Sequence, residues 1–200
     1  MIDFNGFKGA ARKLTMDDLE AIADSAGIEL AALRAVVAVE AAGSGFDSDG
    51  RPKILYEPHI FWRLLDEEDR QDAMDEELAY PKWGMKPYPK GSDAQYERLT
   101  DAMEYDQSAA LQSCSWGMGQ VMGGNYRVAG YANVESMVLA CMESEANQVE
   151  MMVNFIKGNR LLAALQSHDW AAFAKGYNGP GYAKNAYDVK LAEAYERFSG

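Results

Sequence analysis

Apolar residues recur at three- and four-residue intervals over most of the chain, so helices dominate the expected structure. After Thr15 the run "MDDLEAIADSAG" opens with a capping residue, carries acids in its first turn and stops at Gly27. "ELAALRAVVAVEAAG" predicts a second helix, apolar on most sides, with Gly43 as its C-terminal cap. "EPHIFWRLLDEEDRQDAMDEEL" predicts a helix broken near Asp66. Further helical patterns cover "DAQYERLTDAMEYDQSAALQ", "VESMVLACMESEANQVEMMVNFI", "RLLAAL", "DWAAFAKGY" and "AYDVKLAEAYERF". Only "GFDSDGRPKILYE", residues 45–57, reads as β, with an Asp-Gly turn leading into Ile54-Leu55-Tyr56. Residues 80–92, "YPKWGMKPYPKGS", form a loop richer in Trp and Tyr than a plain connector needs. No repeat or low-complexity linker interrupts the pattern. The expectation is one mainly α domain over residues 1–200, α+β in kind, with a small β hairpin or ribbon after the second helix.

Composition narrows the function classes. At 48% hydrophobic and 25% charged, the 200 residues can bury an ordinary core. The net charge of −12, from 31 acidic and 19 basic residues, argues against nucleic acid as a partner. It gives no electrostatic help toward an anionic membrane either, and Arg34 and Glu40 break the longest apolar stretch, so no stable membrane association is expected. The first twenty residues lack the apolar core of a signal peptide, which predicts synthesis in the cytoplasm without export by that route. Cys114 and Cys141 are expected to be free thiols.

The chemistry centres on "AVVAVEAAGSGF", where Glu40 interrupts an apolar helix on its last turn. On a helix it shares a face with Leu33 and Val37. Burial of that face and the negative end of the helix dipole both disfavour the carboxylate, so its pKa should rise. A glutamic acid protonated near neutral pH can serve as a general acid. The plain alternative is a solvated helix-end glutamate, or one paired with Arg34. Glycosidases need a second carboxyl group, and Asp47, Asp49 and Glu57 are the nearby candidates. Asp47 and Asp49 lie in a D-S-D-G turn, where solvated turn chemistry explains them equally well. Glu57 precedes Pro58 at a strand-to-helix boundary, which a helix N-terminal acid also suits, but Tyr56, His59, Phe61 and Trp62 crowd around it.

Three blocks, "VEAAGSGFDSDGRPKILYEPHIF", "SCSWGMGQVMGGNY" and "KGYNGPGYAKNAYDVKLAEAY", together resemble the N-acetylmuramidase family of phage and prophage endolysins, a branch of the lysozyme-like superfamily. The resemblance runs from about residue 15 to the end, with the blocks in family order. It implies a lysozyme-like fold and cleavage of the β-1,4 bond between N-acetylmuramic acid and N-acetylglucosamine in peptidoglycan. By position it makes Glu40 the catalytic acid and Glu57 the second carboxylate. Ser115, Trp116, Gln120 and Met122 would line the glycan cleft, and Tyr177 and Asn178 would approach the acid. The phage-lysozyme spacing Glu-x8-Asp-x5-Thr is met at Asp49 but fails at Leu55, which leaves Asp49 as a further candidate and favours Glu57. The resemblance also implies release to the cell wall or periplasm by a holin. Many members carry a separate peptidoglycan-binding domain; the residues before Thr15 leave no room for one, so none is expected.

The residues themselves fit such a cleft. Gln120 offers a donor and an acceptor to N-acetyl groups, and Trp116, Trp83, Tyr88 or Tyr177 could stack on pyranose rings. A core tryptophan is the alternative for Trp116. "GMGQVMG" is no dinucleotide fingerprint, because Met122 occupies the third glycine position, and no phosphate-binding G-K-[ST] exists. His59 and His168 have no zinc-ligand spacing, so no metal and no organic cofactor are expected. The expected partner is a peptidoglycan glycan strand, bound by a monomer. Two rival functions remain: a lytic transglycosylase using Glu40 alone, and a non-catalytic wall-binding module.

Overall fold

The computed structural model describes residues 3–41 and 43–200. Eleven α-helices, three short 3-10 helices and one small sheet make up its regular structure among these residues. Helix α1 (Met16–Ala26) begins with a reciprocal capping box between Thr15 and Asp18 and ends at Gly27, whose φ of 64° gives the left-handed stop. Helix α2 (Leu30–Glu40) buries Ala31, Ala32, Leu33, Ala35, Val36 and Val37. It ends sooner than its pattern predicts. Ala41 is the C-cap in extended conformation, and Gly43, with φ 86°, lies in the following loop and not at the cap. Glu40 is therefore the last helical residue.

Next come α3 (Pro58–Leu64) and α4 (Arg70–Asp75), divided at the expected place near Asp66. Two long helical patterns are each cut by an N-capping side chain. Asp106 separates α5 (Ser92–Tyr105) from α6 (Gln107–Gln112), its carboxylate accepting from the Ala109 amide at 2.9 Å. Ser144 separates α7 (Val134–Glu143) from α8 (Glu145–Gly158), its hydroxyl accepting from the Asn147 amide at 3.1 Å. A short polar side chain that satisfies a helix start lets the chain turn where apolar periodicity alone would continue it. The remaining helices are α9 (Leu162–Gln166), α10 (Trp170–Tyr177) and α11 (Tyr187–Ser199).

The small β element expected after α2 is present, and it extends beyond residues 45–57. Strands β1 (Ile54–Tyr56), β2 (Cys114–Trp116) and β3 (Val121–Met122) pair antiparallel in the order β1-β2-β3. Residues 46–52 contribute an isolated Phe46–Pro52 bridge, and the main partner of β1 comes from the "SCSW" segment far along the chain. The register aligns Ile54 with Trp116, Leu55 with Ser115 and Tyr56 with Cys114; Ser115 in turn faces Met122. Side chains alternate across a sheet. Tyr56, Cys114, Trp116 and Val121 thus join one core cluster with Phe61, Leu99 and Leu111. Leu55, Ser115, Met122 and, by continuation, Glu57 fall on the opposite face.

A second core cluster joins α1, α2, α8 and the C-terminal helices through Leu33, Val36, Val149, Met152, Phe173 and Leu191. Helix α11 packs along α2, and Arg34 of α2 lies over the Phe198 ring, 4.1 Å from its centroid. That stacking occupies the cation considered as a partner for Glu40. Cys114 and Cys141 are free and buried, and burial pushes both thiols well above their ordinary pKa. No helix of the described residues is long and apolar enough to cross a membrane.

Candidate active site

Glu40 opens into a cavity of about 510 Å³ between the two core clusters. Its other lining residues come from the loop after α2 (Ser44, Asp47), from the approach to the sheet (Lys53, Ile54), from the start of α5 (Gly91, Ser92, Gln95) and from the β2–β3 turn (Gly117, Met118, Gln120). Burial raises the Glu40 pKa, and two opposing effects, the Asn178 hydrogen bond and the Lys190 charge, do not cancel it. Asn178, the C-cap of α10, places Nδ2 at 3.1 Å from Oε1 and 3.0 Å from Oε2 of Glu40. The other end of that amide, Oδ1, is buried and accepts no hydrogen bond among the described residues. Tyr177 lies beside this pair, half-buried, stacked on Phe173 and donating to the Gly119 carbonyl at 3.3 Å. Its hydroxyl pKa is raised by burial and then by the charge of Glu40.

The cavity wall is held from behind by polar side chains that sequence reasoning missed. Glu145, at the first position of α8 and 5% exposed, accepts from the Leu14 amide at 2.9 Å, the Gly45 amide at 2.9 Å and the Ser44 hydroxyl at 2.8 Å. Lys13 adds an ion pair at 3.3 Å. Burial pushes this carboxyl up in pKa, but the four donors outweigh it and hold Glu145 below its ordinary value. One turn on, Gln148 is wholly buried, accepting from the Met118 amide and donating to the Cys141 carbonyl, both at 2.9 Å. A Cβ on Gly45 or Gly117 would collide with the Gln148 side chain. The spacing of Glu145 and Gln148, three residues apart on one helical face, is a signal that could have exposed them.

The expected cleft residues divide. Trp116 is 0% exposed, and its indole donates to the Leu111 carbonyl at 3.0 Å, so it is a core tryptophan and offers no face to a sugar. The reason is its parity in β2, which places it on the core side with Cys114. Ser115 is buried as well and donates to Gln120 Oε1 at 2.7 Å. Gln120 lines the cavity with φ 45°, and its Nε2 donates to the carbonyls of Gly117 (2.8 Å) and Lys53 (3.2 Å). Its donor capacity is spent on the backbone, so it shapes the turn. Met122 is half-buried on the outer face of the sheet and does not line the cavity, whereas Met118 does.

Among the carboxylates, Asp49 is 53% exposed on its turn and is not part of the cavity lining. Asp47 does line it. Burial raises its pKa, but hydrogen bonds from Ser92 and Arg51 bring it below the ordinary value. It is committed to holding the 47–51 turn against α5. Glu57 stands at the N-cap position of α3 without a side-chain cap bond, and it is not among the residues around the Glu40 cavity. Its Oε2 accepts from the Tyr88 hydroxyl at 2.5 Å and lies 3.2 Å from His59 Nδ1. His168 sits elsewhere, 3.1 Å from Glu29 and stacked on Trp170. No cluster of three or more His, Cys, Asp or Glu suited to a metal ion occurs among the described residues.

A model of the N-acetylmuramidase family matches residues 29–199. The crystal structure of the Burkholderia AP3 phage endolysin is similar to this chain at 44% identity and a TM-score of 0.86, over 94% of this chain and 72% of that one. No curated protein shows significant similarity. The helical fold with its small antiparallel sheet, and a partly buried acid at the end of an apolar helix, are features that the three sequence blocks anticipate. The match across both core clusters shows that the chain belongs to the N-acetylmuramidase family of glycoside hydrolases, whose substrate is peptidoglycan.

Proposed function

We propose that this protein cleaves the β-1,4 bond between N-acetylmuramic acid and N-acetylglucosamine, with Glu40 as general acid and Glu57 as second carboxylate. The observation that carries the reading is Glu40 itself: an acid with a raised pKa, at the edge of a cavity large enough for sugar rings. Protonated, Glu40 donates to the glycosidic oxygen as the bond breaks. The carboxylate that results meets the Asn178 amide, whose Nδ2 reaches both oxygens. Oxygen and nitrogen of an amide exchange places by a half-turn, so the same side chain can accept from the protonated acid through Oδ1. Asn178 can thus meet both states, and as a donor to both oxygens it favours the carboxylate.

Glu57 would stabilise the oxocarbenium-like transition state or activate water from the outer face of the sheet. A carboxyl separation of about 5 Å would give retention and about 6.5 Å or more inversion. In this reading Gln120 shapes the cavity wall, with Ser115 hydrogen-bonded behind it and Tyr177 bonded to the Gly119 carbonyl. The working form in this reading is a monomer that reaches the wall after release from the cytoplasm.

One observation favours a second reading. Glu57 lies outside the lining of the Glu40 cavity, as a lytic transglycosylase would allow by using Glu40 alone as acid and then base. Mass spectrometry of muropeptides released by the wild type, Glu40→Gln and Glu57→Gln proteins separates the two. Reducing-end N-acetylmuramic acid, with both variants inactive, is the expected result. Anhydro sugars from an active Glu57→Gln protein would overturn the two-carboxylate mechanism.

A further inference from the structure

Residues 80–91 join α4 to α5 and contain Trp83, Met85, Tyr88 and three lysines without any acid. Much of the loop is tied down. Lys86 pairs with Glu77 at 2.7 Å, and the Pro89 carbonyl accepts from Gln95 Nε2 at 2.9 Å. Gln95 also accepts from the Tyr56 amide of β1 at 2.9 Å, so one buried amide braces both the strand that leads to Glu57 and the loop that covers it. At its far end the loop enters the Glu40 cavity through Gly91 and Ser92. It therefore bridges the two carboxylates.

Trp83 is the exception to this tethering, with 71% of its surface exposed beside the exposed Met85. A large aromatic side chain held open to solvent, on the loop that runs to the Glu40 cavity, is suited to stacking on a sugar face. Trp83 lines one surface pocket with Tyr88 and His59, and the Tyr88 hydroxyl donates to Glu57 Oε2. His59 meets the same oxygen. Both contacts thus fall on Oε2 and fix the carboxylate plane, which leaves Oε1 for the reacting centre.

We propose that loop 80–91 is a positioning element for the second carboxylate: a glycan strand seated on Trp83 holds, through Tyr88, the Glu57 carboxylate in its reactive orientation. The proposal rests on the reading of Glu57 as the second carboxylate. Trp83 then contacts the strand away from the bond that breaks, and Tyr88 is a positioning residue that acts through Glu57. Binding energy from a remote sugar is in this way spent on orienting a reacting group.

The test is steady-state cleavage of soluble glycan strands of graded length by the Tyr88→Phe, Trp83→Ala, Trp83→Phe and Glu57→Gln proteins. Tyr88→Phe should lower kcat by roughly 10- to 100-fold with KM unchanged, as misorientation of a reacting group does. Trp83→Ala should raise KM and lower kcat on long strands while leaving the shortest cleavable strands unaffected. Trp83→Phe, which keeps an aromatic face, should recover most of the long-strand activity that Trp83→Ala loses. A Tyr88→Phe protein with wild-type kcat, alongside an inactive Glu57→Gln, would overturn the positioning role alone. Equal effects of Trp83→Ala on short and long strands would overturn the strand contact. Wild-type activity in Glu57→Gln would remove the second carboxylate, and the proposal with it.

Discussion

Two carboxylates flank the loop that follows α2, and the protein treats them in opposite ways. Glu40 and Glu145 are both withdrawn from water, and burial is the first influence on each. Glu145 meets two backbone amides, a hydroxyl and an ammonium, and these donors overcome desolvation and keep it ionised. Glu40 meets the amide of Asn178 and the more distant charge of Lys190, which leave desolvation in command. The donor count separates a structural anion from an acid held ready to give up a proton. Ser44 belongs to both settings, since it lines the cavity of one and donates to the other.

The contrast is most sharply broken by removing each group. Glu40→Gln should cost roughly 10²- to 10⁴-fold in rate, measured as release of reducing ends, while the protein remains at least as stable as wild type. Glu145→Ala should do the reverse. It leaves the Leu14 and Gly45 amides without their acceptor, at about 1–3 kcal/mol for each unsatisfied group, read as a lowered Tm. Gly45→Ala should lower stability by about 1–3 kcal/mol by driving a methyl group into Gln148.

Titration sharpens the same comparison with smaller effects. Glu40 has a raised folded pKa, so its stability cost is absent in acid. The cost grows as pH rises past the unfolded value and is complete above the folded one. Glu145 has a lowered folded pKa, so its contribution is whole above the unfolded value and is lost as pH falls through the folded one. Tm measured across the acid range should therefore show Glu40→Gln gaining on wild type as pH rises. Glu145→Gln should lose on wild type over the same change. Asn178→Ala removes a donor that favours the Glu40 carboxylate, and should move the basic limb of the pH–rate profile upward.

Local signals in the chain carried the helices well. Thr15 with Asp18, and Gly27, mark the ends of α1 in the sequence as they do in the structure. The breaks at Asp106 and Ser144 were hidden because apolar spacing continues across them, although both are residues that prefer to start helices. The sheet was not legible at all beyond β1. Its strands are two or three residues long and pair across the chain, so no local window holds both partners. Trp116 went to the core for the same reason, since its facing depends on that register. Asn178 was anticipated only through family resemblance, whereas Glu145 and Gln148 looked like ordinary polar positions on an amphipathic helix.

The pairing of β1 with β2 has a consequence for how the protein comes into being. The outer face that carries Leu55 and Ser115 exists only once residues 54–56 have found 114–116, and Glu40 is enclosed only when α10 and α11 arrive from the end of the chain. Such long-range closures are late events in folding. During synthesis the ribosome would thus hold a helical, catalytically incomplete chain until α10 and α11 emerge. A lytic enzyme assembled in this way carries no competent cleft until residues 170–199 have joined the fold.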